Sequence, residues 1–164
     1  MPANSKLPRL LYISALALFL ELLLIRYLSV EIQFFLFFKN FVLMASFLGL
    51  GLGTGLAKNS SKPLMPLFHL TVSALILIAL FAPELRLNTA FLPTGDNSFL
   101  WYHKNSIADW LDLVLLFVSF FGLTALVVIA FLPLGQLLGQ ALDDVSPDRS
   151  YAWDLGGSIV GVIA

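Results

Sequence analysis

The sequence predicts an all-α polytopic transmembrane helical bundle, with four full spans plus a partial fifth. Hydrophobic residues make up 59% of the 164-residue chain and charged residues only 12%, whereas a soluble domain carries roughly 25% charged residues. Mean hydropathy is +0.93. The apolar residues are also gathered into blocks near the ~20 residues that a helix needs to span a hydrocarbon core. A chain of this size has too little interior to hide that much apolar surface from water.

The first block covers residues 10–30 and is broken only by Glu21 and Arg26. Lys6 and Arg9 ahead of it give the start of a signal peptide, but the apolar run continues to Val30 with no small-residue cleavage site. An uncleaved helix is the expectation. Residues 32–39 are rich in phenylalanine, hold Gln33 and end at Lys39, which suits a turn or interfacial segment. The second helix is expected over 41–57, ended by the polar loop of residues 58–63. The third is expected over 64–82, closed by Pro83 and Glu84.

The longest polar connection follows, with Pro93, Gly95, Asp96 and Asn97 as turn formers. Trp101, Tyr102 and Trp110 in and after it suit a membrane–water boundary. The fourth helix is expected over 110–138, with Pro133 as a kink or an early end. A polar loop over 143–149 then precedes a fifth helix over 151–164. That last segment reaches only about 21 Å at 1.5 Å per residue, short of the ~30 Å core. A truncated C-terminus is therefore expected, the five segments forming one transmembrane domain.

Lysine and arginine placement sets the expected orientation. Lys6, Arg9, Lys58, Lys62 and Arg149 fall on one side, with Lys39, Arg86 and Lys104 opposite and Arg26 near a helix end. The short loops place the N-terminus in the cytoplasm and the chain in the inner membrane.

Net charge is −1 and cysteine is absent. No nucleic-acid footprint is present, and disulfides, thiolate metal sites and cysteine nucleophiles are excluded. No cofactor, metal site or catalytic constellation is expected.

Glycine spacing is the sharpest pattern. Gly49, Gly51, Gly53 and Gly55 form two overlapping GxxxG pairs, and at 100° per residue the two pairs lie on roughly opposite faces. Gly135 with Gly139 and Gly157 with Gly161 repeat the spacing. Small residues at this interval let helix backbones approach, which replaces the hydrophobic drive that lipid removes.

Four polar residues stand inside or beside the apolar blocks: Glu21, Arg26, Asp112 and Asp154. An ionised carboxylate near mid-membrane costs at least a few kcal/mol, so Glu21 is either a packed, hydrogen-bonded glutamate or an ion or proton site. Arg26 is expected to pair with Asp112 or Glu31. Asp154 is expected one turn into the fifth helix, where a carboxylate favours the positive helix end. His69 is a candidate ligand for a haem or chlorin, without a spaced partner. His103 lies in the long loop.

The run Glu21-Leu22-Leu23-Leu24-Ile25-Arg26 and the stretch Asn40-Phe41-Val42-Leu43-Met44-Ala45-Ser46-Phe47-Leu48-Gly49-Leu50-Gly51-Leu52-Gly53 resemble membrane regions of spermidine-synthase-like proteins. Tyr151-Ala152-Trp153-Asp154-Leu155-Gly156-Gly157-Ser158-Ile159-Val160-Gly161 is similar to a second stretch of the same family. Such proteins join a polytopic membrane part, likened to major facilitator transporters, to a cytosolic Rossmann-like domain. That domain is similar to aminopropyltransferases and methyltransferases that use S-adenosyl compounds. The resemblance covers nearly all of this chain but only the membrane half of such a protein. The strand, glycine-rich turn, helix and following acidic residue of a nucleotide-binding unit have no counterpart here, so no family catalytic residue carries over.

The resulting expectation is a non-catalytic membrane domain or subunit. It would anchor or scaffold a larger assembly, with lipid and other membrane subunits, or the missing C-terminal part, as partners. The alternatives are part of a secondary transporter with Glu21 as its intramembrane ion or proton site, and a haem- or chlorin-carrying subunit ligated by His69.

Overall fold

In lipid, a run of apolar residues with no polar face satisfies its backbone by coiling on itself, and among the described residues the chain forms five helices. The computed structural model describes residues 6–31, 39–58, 64–81, 107–143 and 147–163. Within them lie α1 (Lys6–Glu31), α2 (Lys39–Ala57), α3 (Met65–Leu80), α4 (Ile107–Asp143) and α5 (Pro147–Ile163). Three helices are long and apolar enough to cross a membrane, over Leu7–Val30, Asn40–Ala57 and Phe117–Asp143. α3 is a shorter apolar helix of 16 residues, about 24 Å long at 1.5 Å per residue. α5 has 17 residues.

Several boundaries differ from the sequence expectation. α4 neither starts at residue 110 nor stops at 138; its 37 residues run unbroken through Pro133 to Asp143. Proline removes one amide from the helix ladder and crowds the preceding turn. Here its ring is fully buried among packed helices, the setting in which membrane helices carry an internal proline. α5 begins at Pro147 rather than at 151, because proline suits a first helical position, where its missing amide would have no partner. Residues 147–149, expected in a polar loop, are therefore helical. α1 starts four residues earlier than expected, at Lys6, and α2 starts at Lys39. The aromatic segment 32–38, Pro83, Trp101, Tyr102 and His103 fall outside the described residues.

Packing register fixes the relative directions. Phe41 meets Phe120 edge to face with ring centroids 5.0 Å apart, Gly49 lies against Val128 and Phe131, and Gly53 against Leu132 and Gly135. Both numbers rise together, so α2 and α4 run parallel. Gly157 sits on Leu11 and Gly161 on Ala15, so α1 and α5 are parallel too. By contrast, Leu10 and Ile13 near the start of α1 cluster with Ala141 near the end of α4. The Leu64 amide just before α3 donates to Gln136, also late in α4. The chain thus runs up, down, up, down, up, with the ends of α2 and α4 beside the starts of the other three helices.

The main core joins Leu20, Leu24 and Leu28 of α1, Val42 and Ala45 of α2, Leu75 of α3, and Val127, Phe131 and Leu134 of α4. The outer surface is also apolar. Met44 is 63% exposed, and Phe47, Leu48 and Leu52 also point outward from α2. Leu70 and Leu77 on α3, Val118 and Phe121 on α4, and Ile159 and Val162 on α5 do the same. Meanwhile Ser14, Glu21, Ser46, Thr71, Gln136 and Ser150 are buried. Beside this apolar core a few polar groups are enclosed, while large apolar side chains cover the outside, unlike the surface of a water-soluble protein.

Candidate functional site

The helix interfaces are built on glycine, and three of the four GxxxG pairs serve contacts within the chain. A Cβ on Gly53 would fall onto the Leu132 carbonyl oxygen, 2.7 Å from the Gln136 nitrogen and 2.8 Å from the Gly135 Cα. A Cβ on Gly135 would meet the Leu50 backbone, with the Cα at 2.8 Å. A Cβ on Gly49 would lie 2.7 Å from the Phe131 Cβ, and one on Gly139 2.8 Å from the Ala57 Cβ. α2 and α4 therefore interlock backbone to backbone along two mated small-residue faces, and theirs is the most extensive helix–helix interface among the described residues. The other α2 pair, Gly51 and Gly55, has nothing within 4 Å of a built Cβ.

The Gly157–Gly161 pair seats α5 on α1, with Leu11, Ser14 and Ala15 against it. Gly157→Leu is expected to detach α5, because the new side chain must displace α1 backbone. Limited proteolysis in detergent should then cleave within residues 147–163. Gly156→Leu serves as the neighbouring control, since a Cβ there meets nothing within 4 Å, and equal protection of both variants would refute this packing.

Four buried polar residues, Ser14, Glu21, Ser46 and Gln136, tie the helices together. Glu21 is 2% exposed and its Oε1 lies 2.8 Å from the Ser46 hydroxyl, which also lies 2.8 Å from the Leu43 carbonyl oxygen. A hydroxyl has a single proton to give. The Ser46 proton is shared between two acceptors, the Glu21 carboxyl and the Leu43 carbonyl. Gln136 is fully buried and its Oε1 accepts the Leu64 amide at 3.1 Å, which satisfies an N–H at the start of α3 that has no intrahelical partner. Ser14, also buried, donates a short hydrogen bond to Asp154. Among the described residues no buried side-chain nitrogen or oxygen lacks a partner.

Asp154 differs from the sequence expectation. Because α5 starts at Pro147, Asp154 sits about two turns into the helix rather than one, where the end dipole has faded. Its contact is the Ser14 hydroxyl of α1. Arg26 is exposed, and its expected pairing with Asp112 or Glu31 lies outside the described side chains. His69 is exposed on α3, where its Nδ1 lies 2.8 Å from the Met65 carbonyl oxygen and its ring meets Phe68 edge to face.

Sequence reasoning singled out Glu21 and Asp154 but missed Ser14, Ser46 and Gln136. Gln136 stands beside Gly135 in the small-residue pair, and a polar side chain there is carried into the helix contact with the glycine. That adjacency was the available signal. The serines had none, since serine in an apolar block also bonds its own preceding turn.

An open cleft of ≈ 380 Å³ lies between the ends of α2 and α4, lined among others by Gly51, Thr54, Gly55, Lys58, Leu142 and Asp143. Glu21 is not part of its lining. Among the described residues no group of three or more His, Cys, Asp or Glu could hold a metal ion. No family model, curated protein or solved structure matches this chain.

Proposed function

We propose that the chain is a non-catalytic integral membrane module that anchors or scaffolds a larger membrane assembly. In this reading all five helices are threaded through or into the bilayer, with the N-terminus in the cytoplasm. One observation carries the reading: large apolar side chains cover the outside of the bundle while Glu21, Ser46, Gln136 and Ser14 are sealed within it. The sealed groups are hydrogen-bonded, Glu21 to Ser46, Gln136 to the Leu64 amide and Ser14 to Asp154, as packing elements are.

The transporter alternative rests on Glu21. A carboxyl enclosed by packing and bonded to Ser46 supports a structural use instead. Extraction in mild detergent followed by mass determination tests the scaffold. A particle heavier than one chain plus its detergent is expected, and a stable solitary monomer would overturn it.

A further inference from the structure

Because α2 and α4 run parallel, their C-termini lie side by side, and the cleft described above opens between them. Its apolar floor includes Gly51 and Gly55, where open space replaces side chains. Lys58 and Asp143, both exposed, line the same cleft. Gly51 and Lys58 are separated by about 10 Å of helix at 1.5 Å per residue. The cleft thus offers an apolar trough with one cationic and one anionic side chain at the helix ends.

The helix ends add a second sign to this pattern. Each helix C-terminus leaves its last-turn carbonyls without an intrahelical donor and carries roughly half a negative charge. Two such ends converge here beside the Asp143 carboxylate. A primary ammonium, with three N–H donors, matches carboxylate and carbonyl acceptors together, whereas a quaternary ammonium has no N–H to donate. The Lys58 ammonium is a donor suited to a phosphate oxygen.

We propose that this cleft binds a phospholipid with an ethanolamine headgroup. Its phosphate sits at Lys58, its ammonium at Asp143 and the helix-end carbonyls, and an acyl chain lies over Gly51 and Gly55. The proposal rests on the reading that these helices cross a bilayer.

The test uses the full chain purified in detergent and titrated with ethanolamine, choline and glycerol phospholipids of identical acyl chains, bound lipid being counted by native mass spectrometry. The ethanolamine lipid is expected to be retained about tenfold better than the choline lipid, the scale of one charge-assisted hydrogen bond. Asp143→Asn should remove that preference, whereas Lys58→Gln should weaken retention of the ethanolamine and choline lipids alike, since both carry the phosphate. Gly55→Leu should block binding without lowering the melting temperature, since a Cβ there meets nothing within 4 Å and the rest of the side chain extends into the open trough. Equal retention of all headgroups, tighter binding of the glycerol lipid, or unchanged binding by Gly55→Leu would each overturn the proposal. Recovery of the chain in buffer without detergent would instead overturn the membrane reading, before any lipid is added.

Discussion

Gly53→Leu is expected to abolish the folded bundle, whereas Gly55→Leu, two residues away on the same helix, leaves it intact. The difference is the surroundings of the missing side chain. At Gly53 even a Cβ would meet the backbone of Leu132, Gly135 and Gln136. Backbone cannot rotate aside as a side chain does, so α2 and α4 must separate. Overpacking a core with flexible neighbours already costs roughly 1–3 kcal/mol, and a rigid neighbour puts leucine at the upper end or beyond it. Since α2–α4 is the most extensive contact among the described residues, its loss should appear as aggregation on size exclusion in detergent. At Gly55 the built Cβ meets nothing, and replacing glycine within a helix gains roughly 0.5–1 kcal/mol for alanine. Equal behaviour of the two variants would mean that the helices pack through another face.

The second large effect concerns Glu21, and its direction is less obvious. Ser46→Ala is expected to destabilise the protein more than Glu21→Leu does. Ser46 is the hydrogen-bond partner of Glu21; removing it strands a buried carboxyl, at a cost of about 1–3 kcal/mol. Removing Glu21 instead leaves the Ser46 hydroxyl satisfied by the Leu43 carbonyl, and an apolar side chain of similar volume fills the space. Glu21→Leu in the Ser46→Ala background should therefore recover stability. Glu21→Gln should match the parent closely, its amide oxygen accepting from Ser46 as the carboxyl oxygen does. Thermal melting in detergent reads all four variants. A stable Ser46→Ala variant beside an unfolded Glu21→Leu one would show that the carboxyl has a use other than this contact.

How much was legible in the sequence depended on which physical signal marked each feature. Apolar blocks marked the helices, because length and hydropathy alone govern what can coil in lipid. Their ends were read less well. Pro133 is a breaker in water yet is carried inside α4, and Pro147 starts a helix that hydropathy places four residues later. Glycine spacing identified the contact surfaces but not their mates. Gly49 with Gly53 and Gly51 with Gly55 read alike, and only the position of α4 separates a packed face from an open one. Asp154 was recognisable as a polar residue inside an apolar block, while its partner Ser14 lies 140 positions away in the chain and carries no local mark.

The central claim is that the apolar outer surface faces lipid. The chain has no cysteine, so single cysteines at the exposed positions Leu48, Leu52, Phe121 and Ile159 can carry spin labels without a competing thiol. In reconstituted vesicles, collision of each label with oxygen is compared with collision with a water-soluble nickel complex. The account predicts that oxygen dominates at all four positions. Dominant collision with the nickel complex would place these side chains in water and contradict it.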